Sequence, residues 1–329
     1  MRIETSAPTR IDLAGGTLDI WPLYLFHPGA QTINAAISLR ARVAVETRQD
    51  DRIVIRSEDT GVTVEAEHYR DLETPAALRL LSLIAAAFEA RGVTITTHAE
   101  SPAGAGIAGS SALNVACCAA LAEWRQTHLE PEALLALAQN IEAQAIGVPT
   151  GVQDYRPALY GGVSAVELGL YGVRRVALDV EAGALEQRLV LCYTGEPRES
   201  GTNNWEITKR HIDGDARVRE CLAAISTAAA DLRAALHDRD WAAFAAAMTA
   251  EWEQRKRLAP GVTTPVIDAL IAAAAAAGAT AAKVCGAGGG GCLVCCGPPE
   301  RRGAIAAALA AGGARLLDFR VEHHGLIRG

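Results

Sequence analysis

A glycine-rich segment in the first half of the chain contains the groups best suited to bind an anion. Its sequence is Ser101-Pro-Ala-Gly-Ala-Gly-Ile-Ala-Gly-Ser-Ser-Ala-Leu113, and an apolar helical pattern continues from it to Trp124. Glycines let the backbone approach a ligand closely, serines are common at helix starts, and a helix N-terminus presents free N–H groups. The segment therefore predicts a cradle for a phosphate chain, with a plain strand-to-helix turn as the alternative. No Gly-Lys-Ser/Thr follows the glycines, so it is not a Walker loop.

Four charged residues elsewhere in the chain are candidates for acid, base or cation-binding chemistry. Arg10 and Asp19 flank a glycine turn at residues 14–16, which would direct a fixed cation and a carboxylate towards one cleft. Glu142 lies at the margin of the buried face of a predicted helix, and Asp154 lies in a polar turn between apolar segments. Taken singly, each has a simpler interpretation as a solvated or turn residue.

A second glycine loop lies near the C-terminal end, between two predicted strands. Its sequence is Gly286-Ala-Gly-Gly-Gly-Gly291, and its five glycines exceed what a hairpin turn needs. Such a loop is expected where a backbone or a ligand packs closely. The segment Cys292-Leu-Val-Cys-Cys296 that follows contains a CxxC spacing, but without a second Cys/His pair it indicates a buried strand and not a zinc site.

Composition limits the classes of function. The chain has 329 residues, half of them apolar, which suits two domains with large cores. A net charge of -7 without any Lys/Arg block argues against nucleic acid and against an acidic membrane surface as partners. The first residues lack the apolar core of a signal peptide, and no membrane-like apolar run is present, so we expect a cytoplasmic protein.

Periodicity predicts an α+β protein whose first part is a mostly antiparallel sheet and whose second part begins with a new strand, with the boundary between residues 1–183 and 184–329. The segment 195–205 lacks an apolar period and is predicted as a loop, either one that contacts the substrate or a plain surface loop. Strands are expected within 1–20 up to a break at residue 14 and around 31–37, 41–47, 52–57, 62–66, 93–100, 161–168, 173–178, 188–194, 280–285, 292–296 and 314–321. Helices are expected around 75–91, 112–124, 131–147, 217–237, 240–257, 264–277 and 299–311.

Three segments together resemble, in order and spacing, the three motifs of the GHMP small-molecule kinases. They are Ala7-Pro-Thr-Arg-Ile-Asp-Leu-Ala-Gly-Gly-Thr-Leu-Asp19, Pro102-Ala-Gly-Ala-Gly-Ile-Ala-Gly-Ser-Ser-Ala112 and Lys283-Val-Cys-Gly-Ala-Gly-Gly-Gly-Gly291. The resemblance covers the chain from end to end. It implies an N-terminal domain of the ribosomal S5 type and a ferredoxin-like C-terminal domain. The segments Gly151-Val-Gln-Asp-Tyr155, Tyr160-Gly-Gly162 and Glu251-Trp-Glu-Gln-Arg-Lys-Arg-Leu-Ala-Pro260 look most like the bacterial heptose-7-phosphate kinase branch.

The resemblance implies ATP and Mg²⁺ as cofactors and assigns roles to residues. By this likeness Ser111 and Glu142 would hold Mg²⁺, Asp154 would be the catalytic base, and Arg10 would stabilise charge beside it. The ATP-binding residues would be Pro102, Gly104, Ala105, Gly106, Ile107, Ala108, Gly109, Ser110 and Ser111. Asp19 would bind sugar hydroxyls, and the sugar site would also include Gly16, Thr17, Gly286, Ala287, Gly288 and Gly289.

The expected partner is a sugar or sugar-phosphate substrate, and the hypothesis is a pyranose phosphorylated at its anomeric hydroxyl that already has a distal phosphate. Candidates to pair with that phosphate are the basic residues Arg198, Lys209, Arg210, Arg255, Lys256 and Arg257. A homodimer is a possible assembly.

Two departures put the sugar in question. The first motif has Gly-Gly-Thr-Leu-Asp where heptose kinases have Gly-Gly-Gly-Thr-Asp, and Val152 stands where they usually have Lys. Three alternatives remain: a galactose- or fucose-type sugar 1-kinase, a catalytically idle nucleotide-gated sugar sensor, and an ATP-dependent decarboxylase of the mevalonate-diphosphate kind. The joint presence of Ser111, Glu142, Asp154 and Arg10 favours a working kinase, and the context of Asp154 favours sugar kinases over decarboxylases.

Overall fold

The computed structural model describes residues 1–72, 75–197 and 200–329. Two β-sheets with helices packed against them make up these residues, which confirms the α+β prediction. Among the helices of this part of the chain, none has the length and hydrophobicity required to cross a membrane.

The first sheet has eight strands, and its longest strand organises it. β2 pairs with β6 through its first residues and with β5 through its last, while β1 runs antiparallel along its whole length. Only the β3–β5 pair is parallel. The strands are β1 Arg2–Ala14, β2 Gln31–Thr47, β3 Ile53–Ser57, β4 Val62–Ala66, β5 Val93–Ala99, β6 Val163–Gly169, β7 Gly172–Ala177 and β12 Ile327–Arg328.

The sequence pattern divides β2 into two strands, but the structure shows one strand of 17 residues. The register shifts where Pro8 faces Arg40 and Thr9 faces Ile37, so Ser38 and Leu39 are extra residues in a β-bulge. The bulge interrupts the alternation without ending the strand, which is why periodicity places a break there.

The second sheet has four antiparallel strands in the spatial order β11-β8-β10-β9. In chain order this is 4-1-3-2, the ferredoxin-like arrangement that the resemblance implies. The strands are β8 Leu189–Tyr193, β9 Ala281–Val284, β10 Cys292–Cys296 and β11 Arg315–Leu316. The strand predicted over 314–321 is therefore mostly wrong: beyond β11 it retains one isolated bridge, Val321 to Ile37. All five residues of β10 are buried, as predicted for that segment.

Helices cover both sheets and largely follow the predicted positions. Asp215, Asp240 and Thr264 accept hydrogen bonds from backbone N–H groups as side-chain caps of α7, α8 and α9. The helices are α1 Arg79–Ala87, α2 Gly109–Trp124, α3 Pro131–Ile146, α4 Tyr155–Tyr160, α5 Ala182–Glu186, α6 Ser200–Ile212, α7 Ala216–Asp238, α8 Trp241–Leu258, α9 Pro265–Ala276 and α10 Arg302–Ala311. The loop predicted over 195–205 is wrong from Ser200 onward, because the first five residues of α6, SGTNN, have no apolar side chain and give no helical period.

The core is continuous between the two sheets. Ile11 and Ile33 of the first sheet share one apolar cluster with Leu191 of the second sheet and Phe244 of α8. A further cluster surrounds α2, which is buried along most of its length. The predicted boundary between residues 183 and 184 lies between β7 and β8 and stays a prediction.

Candidate active site

A cavity of about 560 Å³ opens between the first sheet, α2 and the loop after β9, and its size is typical of small-molecule sites. Most of the predicted site residues line it: Arg10, Thr17, Asp19, Pro102, Gly104, Ala105, Gly106, Ala108, Gly109, Ser110, Glu142, Asp154, Gly286 and Ala287. The other predicted site residues do not line it: Gly16, Ile107, Ser111, Gly288 and Gly289. The three glycine segments therefore meet at one place, although their individual roles stay predictions.

The loop before α2 has a backbone that brings it close to any occupant of the cavity. Gly104, Gly106 and Ala108 have φ values of 67°, 75° and 62°, and the left-handed region is unusual for an alanine. A Cβ at Gly109 would lie 2.4 Å from the Ser101 hydroxyl oxygen, so a larger residue there would displace that hydroxyl. No described side chain caps the N-terminus of α2. Its free N–H groups thus suit an anion such as a phosphate.

Arg10 and Asp154 form an ion pair at the cavity wall, in which the guanidinium is buried and the carboxylate is partly exposed. The Arg10 Nε and Nη2 atoms donate to the same carboxylate atom, Oδ1, at 3.0 and 2.7 Å. Nη1 donates to the carbonyl of Gly106 at 2.9 Å, which links the pair to the glycine loop. Burial acts to lower the pKa of Arg10, but the charges of Asp154 and Asp12 outweigh it and raise that pKa. The guanidinium is therefore a permanent cation, and among the described residues no hydrogen bond reaches Oδ2 of Asp154.

The Glu142 carboxylate accepts hydrogen bonds from three hydroxyl groups. Ser110 donates to Oε1 at 2.5 Å, while Ser111 and Tyr155 donate to Oε2 at 2.9 and 2.7 Å. Burial raises the pKa of Glu142, and the three hydroxyls partly oppose that rise. Both serines lie in the first turn of α2, as expected for residues that are common at helix starts, and their side chains donate to the carboxylate and do not cap the helix.

The Glu142 carboxylate and the Ser111 hydroxyl fit a magnesium site of the kind that relies on phosphates and water for its other ligands. Among the described residues, no group of three or more His, Cys, Asp or Glu side chains could hold a metal ion alone. Any Mg²⁺ here would therefore depend on the nucleotide for most of its ligands.

Asp19 lies at the other end of the cavity and is almost completely buried. Its Oδ2 accepts the backbone N–H of Gln153 at 3.0 Å, and Oδ1 accepts the Gln153 side-chain amide at 3.4 Å. A Cβ at Gly151 would lie 1.9 Å from Oδ2, so the glycine makes room for the carboxylate. Burial, with a contribution from Asp154, raises the pKa of Asp19 to about 6. The Oε1 atom of Gln153 has no hydrogen-bond partner in the described structure and is free to accept one from a ligand.

Of the basic residues predicted to pair with a distal phosphate, the five that the structure describes do not line the cavity. Arg255 is 1% exposed and bonded to Glu251, Arg210 pairs with Asp215, and Lys256 pairs with Glu253. Lys209 and Arg257 do not line the cavity, and Arg198 lies outside the described residues. For Arg255 the prediction is wrong because a fully buried, paired guanidinium is not available to a substrate.

Three residues at the site are not singled out by the sequence pattern. Tyr155 fixes Glu142, Gln153 fixes Asp19, and Asn204 of α6 lines the cavity with its Oδ1 atom 3.4 Å from the Thr17 hydroxyl. Gln153 and Tyr155 are the direct neighbours of Asp154 in the sequence, and this adjacency is the sequence signal that points to them. Asn204 belongs to the polar segment 195–205, for which a substrate-contacting role is one of the two interpretations, although the sequence pattern does not predict α6.

Two family profiles match this chain: "GHMP kinases N terminal domain" over residues 76–162 and "GHMP kinases C terminal" over residues 232–315. A D-glycero-alpha-D-manno-heptose 7-phosphate kinase of Campylobacter jejuni subsp. jejuni serotype O:2 is 30% identical over 280 residues, which are 82% of this chain and 81% of that protein. An L-fucokinase/L-fucose-1-P guanylyltransferase of Bacteroides fragilis is 28% identical over 80% of this chain, which spans 31% of that longer protein.

The same likeness extends to three dimensions. The crystal structure of a D-glycero-D-manno-heptose 1-phosphate kinase from Bacteriodes thetaiotaomicron superposes with a TM-score of 0.79 at 26% identity and covers 99% of this chain and 98% of that one.

Proposed function

The chain belongs to the GHMP kinases, and from that premise we propose that it is an ATP-dependent sugar kinase that phosphorylates the anomeric hydroxyl of a heptose 7-phosphate or a related sugar. It is a phosphotransferase with an alcohol group as acceptor, as its heptose phosphate kinase and fucokinase relatives are. The observation that supports the chemistry most strongly is the Arg10–Asp154 pair, which adjoins the glycine loop in one cavity.

Phosphoryl transfer requires positioning and charge neutralisation more than covalent chemistry. Asp154 would accept the proton of the attacking hydroxyl at Oδ2, because both Arg10 bonds fall on Oδ1. The fixed charge of Arg10 would offset charge that develops on the transferring group. The uncapped N-terminus of α2 and the loop before it would bind the ATP phosphates.

Glu142 and Ser111 would hold Mg²⁺, which when bound neutralises phosphate charge. Tyr155 orients the Glu142 carboxylate by donating to Oε2. The two hydroxyls from α2 join the metal-binding carboxylate to the phosphate-binding helix, so nucleotide and metal would bind as one unit.

We call the part of the cavity lined by Asp19 and Gln153 the acceptor end. There the carboxylate of Asp19 and the unpaired amide oxygen of Gln153 suit sugar hydroxyls. Support for a distal phosphate comes from the heptose 7-phosphate kinase relative. Among the described residues, the basic side chains first considered for it are paired or do not line the cavity. A galactose- or fucose-type sugar is the second candidate, favoured by the fucokinase relative and by this acidic, amide-lined acceptor end.

A panel of acceptors tests the proposal. ADP release with MgATP would be measured for heptose 7-phosphate, unphosphorylated heptose, galactose, fucose and mevalonate, and the product position established by NMR. Turnover of heptose 7-phosphate at its anomeric hydroxyl is expected. Faster turnover of an unphosphorylated sugar would contradict the requirement for a distal phosphate. Turnover of mevalonate would contradict the assignment of a sugar substrate, and nucleotide binding without any turnover would favour the sensor. The cytoplasmic location and the homodimer stay predictions, the latter testable by light scattering.

A further inference from the structure

Four charged side chains are completely buried behind the turn that follows β1. Asp12 comes from β1, Glu251 and Arg255 from α8, and Lys283 from β9, and all are at most 1% exposed. Two cations and two anions balance in charge. Burying ions is costly even when they are paired, and an apolar cluster of the same volume is often as stable. Stability alone therefore does not account for this group.

The four side chains form one connected network. Arg255 donates through Nε and Nη2 to Oε1 of Glu251 at 2.9 and 2.5 Å. Lys283 Nζ lies 3.3 Å from both Oδ1 of Asp12 and Oε2 of Glu251. Burial acts to raise the pKa of Asp12, but the neighbouring cations, Lys283 first, lower it overall, so the carboxylate is charged. The network joins the first sheet to the second sheet and its covering helix.

The guanidinium of Arg255 also contacts the two turns that line the acceptor end of the cavity. Nη2 donates to the carbonyl of Gly16 at 2.8 Å, and Nη1 lies 3.2 Å from both the Thr17 hydroxyl and the Gly286 carbonyl. Thr17 has a φ of 74°, a strained conformation for a β-branched residue that persists only where its surroundings hold it. A Cβ at Gly16 would lie 2.6 Å from the Asp12 carboxylate and 3.1 Å from Nη2 of Arg255, so the turn packs directly against this network.

We propose that Arg255 is a positioning residue for the acceptor sugar: it fixes residues 15–19 and 286–287 in a single geometry, and Glu251, Lys283 and Asp12 hold it in place. It acts through Thr17 and Asp19 and does not touch substrate. The nucleotide loop, residues 101–111, makes no hydrogen bond to Arg255 in the described structure. The identity of the acceptor rests on the proposed function, whereas the positioning role of Arg255 does not.

The variants Arg255→Lys and Arg255→Met test this, with Lys256→Met as control at the next position of α8, where the side chain is partly exposed and pairs with Glu253. Small misplacements of a reacting group cost up to about 100-fold in rate. We expect kcat/KM for the sugar to fall about 10- to 100-fold in Arg255→Lys and further in Arg255→Met. The dissociation constant for MgATP, measured by calorimetry, should stay within about 2-fold, and the control should match the wild type.

Arg255→Met leaves Glu251 unpaired and can fail to fold, so a charge-balanced pair, Arg255→Met with Glu251→Gln, is measured as well. A folded variant with unchanged sugar kinetics would overturn the proposal. Equal losses for sugar and MgATP together with a lower Tm would also overturn it, since they indicate a merely structural role. If the wild type phosphorylates mevalonate and no sugar, the proposed function fails, and the same comparison with mevalonate still decides the role of Arg255.

Discussion

At the scale of single residues, Asp154 is the strongest candidate for the base because its two carboxylate oxygens have different surroundings. Arg10 donates to Oδ1, whereas no hydrogen bond from a described residue reaches Oδ2. Asp154→Asn retains the shape and removes the proton acceptor, so kcat should fall by roughly 10²- to 10⁴-fold while MgATP affinity changes little. Steady-state kinetics and calorimetry measure the two effects. Asp231→Asn, an exposed position on α7, is the control. A near-normal kcat in Asp154→Asn would reduce the residue to a turn position.

The buried carboxylate of Asp19 lowers the free energy of unfolding at neutral pH, where it is charged. Its pKa is raised from the usual 3.8 to about 6, so its favourable contribution to folding exists below about pH 4 and is lost as the pH rises through 6. Asp19→Asn should therefore be more stable than the wild type above pH 6, by up to about 3 kcal/mol, and equal to it at low pH. Urea unfolding between pH 4 and 8 measures this. At neutral pH the same variant should bind the sugar more weakly, and equal stability across the range would contradict the argument.

Glu142 should couple metal binding to proton release. Burial raises the pKa of Glu142 in the free protein, and a bound cation lowers it, so MgATP binding should release protons. Calorimetry in buffers of different ionisation enthalpy counts them. Glu142→Gln should weaken Mg²⁺-dependent nucleotide binding and reduce the released protons, whereas Glu123→Gln, exposed on α2, should change neither. Identical proton release in both variants would assign the titration to another group.

At the scale of elements, the phosphate loop can be tested through its backbone. Gly106 has a φ of 75° and its carbonyl accepts a bond from Arg10, so Gly106→Val should strain the loop, obstruct close approach and weaken MgATP binding without unfolding the protein. Gly29 has a φ of 78° in an open turn with no atom near its absent Cβ, so Gly29→Val imposes the same strain elsewhere. Unchanged calorimetric affinity in Gly106→Val would show that the loop does not bind phosphates.

Elements with an apolar period were predictable, and those defined by tertiary contacts were not. The bounds of α3, α7, α8 and α9 follow from capping residues, proline and helical spacing. At Ser38 and Leu39 the sequence pattern indicates a break between two strands, and only the pairing with β1 shows that one strand continues through a bulge. β12 has only two residues and is formed by its partner β1 and not by its own sequence.

The candidate site divides in the same way. Glycine loops and the residues near them, such as Arg10 and Asp154, could be located because their types suggest chemistry. The roles of Tyr155, Gln153 and Arg255 depend on which atoms they contact, and only the packed structure determines that. Arg255 is the clearest example, since a basic residue on a polar helix end gives no sign that it is fully buried.

At the scale of the whole molecule, residues 322–325 fasten to the first sheet through Arg40. This buried guanidinium donates to the carbonyls of His324 and Gly325 and pairs with Glu322. A chain shortened to end at Val321 leaves Arg40 without these partners and should lose about 3–5 kcal/mol of unfolding free energy. Removing only Arg328 and Gly329 deletes bonds of β12 but leaves Arg40 paired, so it should cost less. Denaturant titration compares them, and equal losses would mean that Arg40 is not the anchor.

The three glycine segments are joined to one another as well as to the cavity. The carbonyl of Ala105 accepts a hydrogen bond from the N–H of Cys292 at 2.7 Å, and the carbonyl of Gly106 accepts one from Arg10. Arg255 donates to the carbonyls of both Gly16 and Gly286. A Cβ at Gly291 would lie 2.7 Å from the Ala105 carbonyl, so the contact admits no larger residue. Specificity engineering therefore cannot treat the segments as exchangeable cassettes. A first segment transplanted from a kinase with another sugar should function only when its supporting residues on α8 and β9 are transplanted with it.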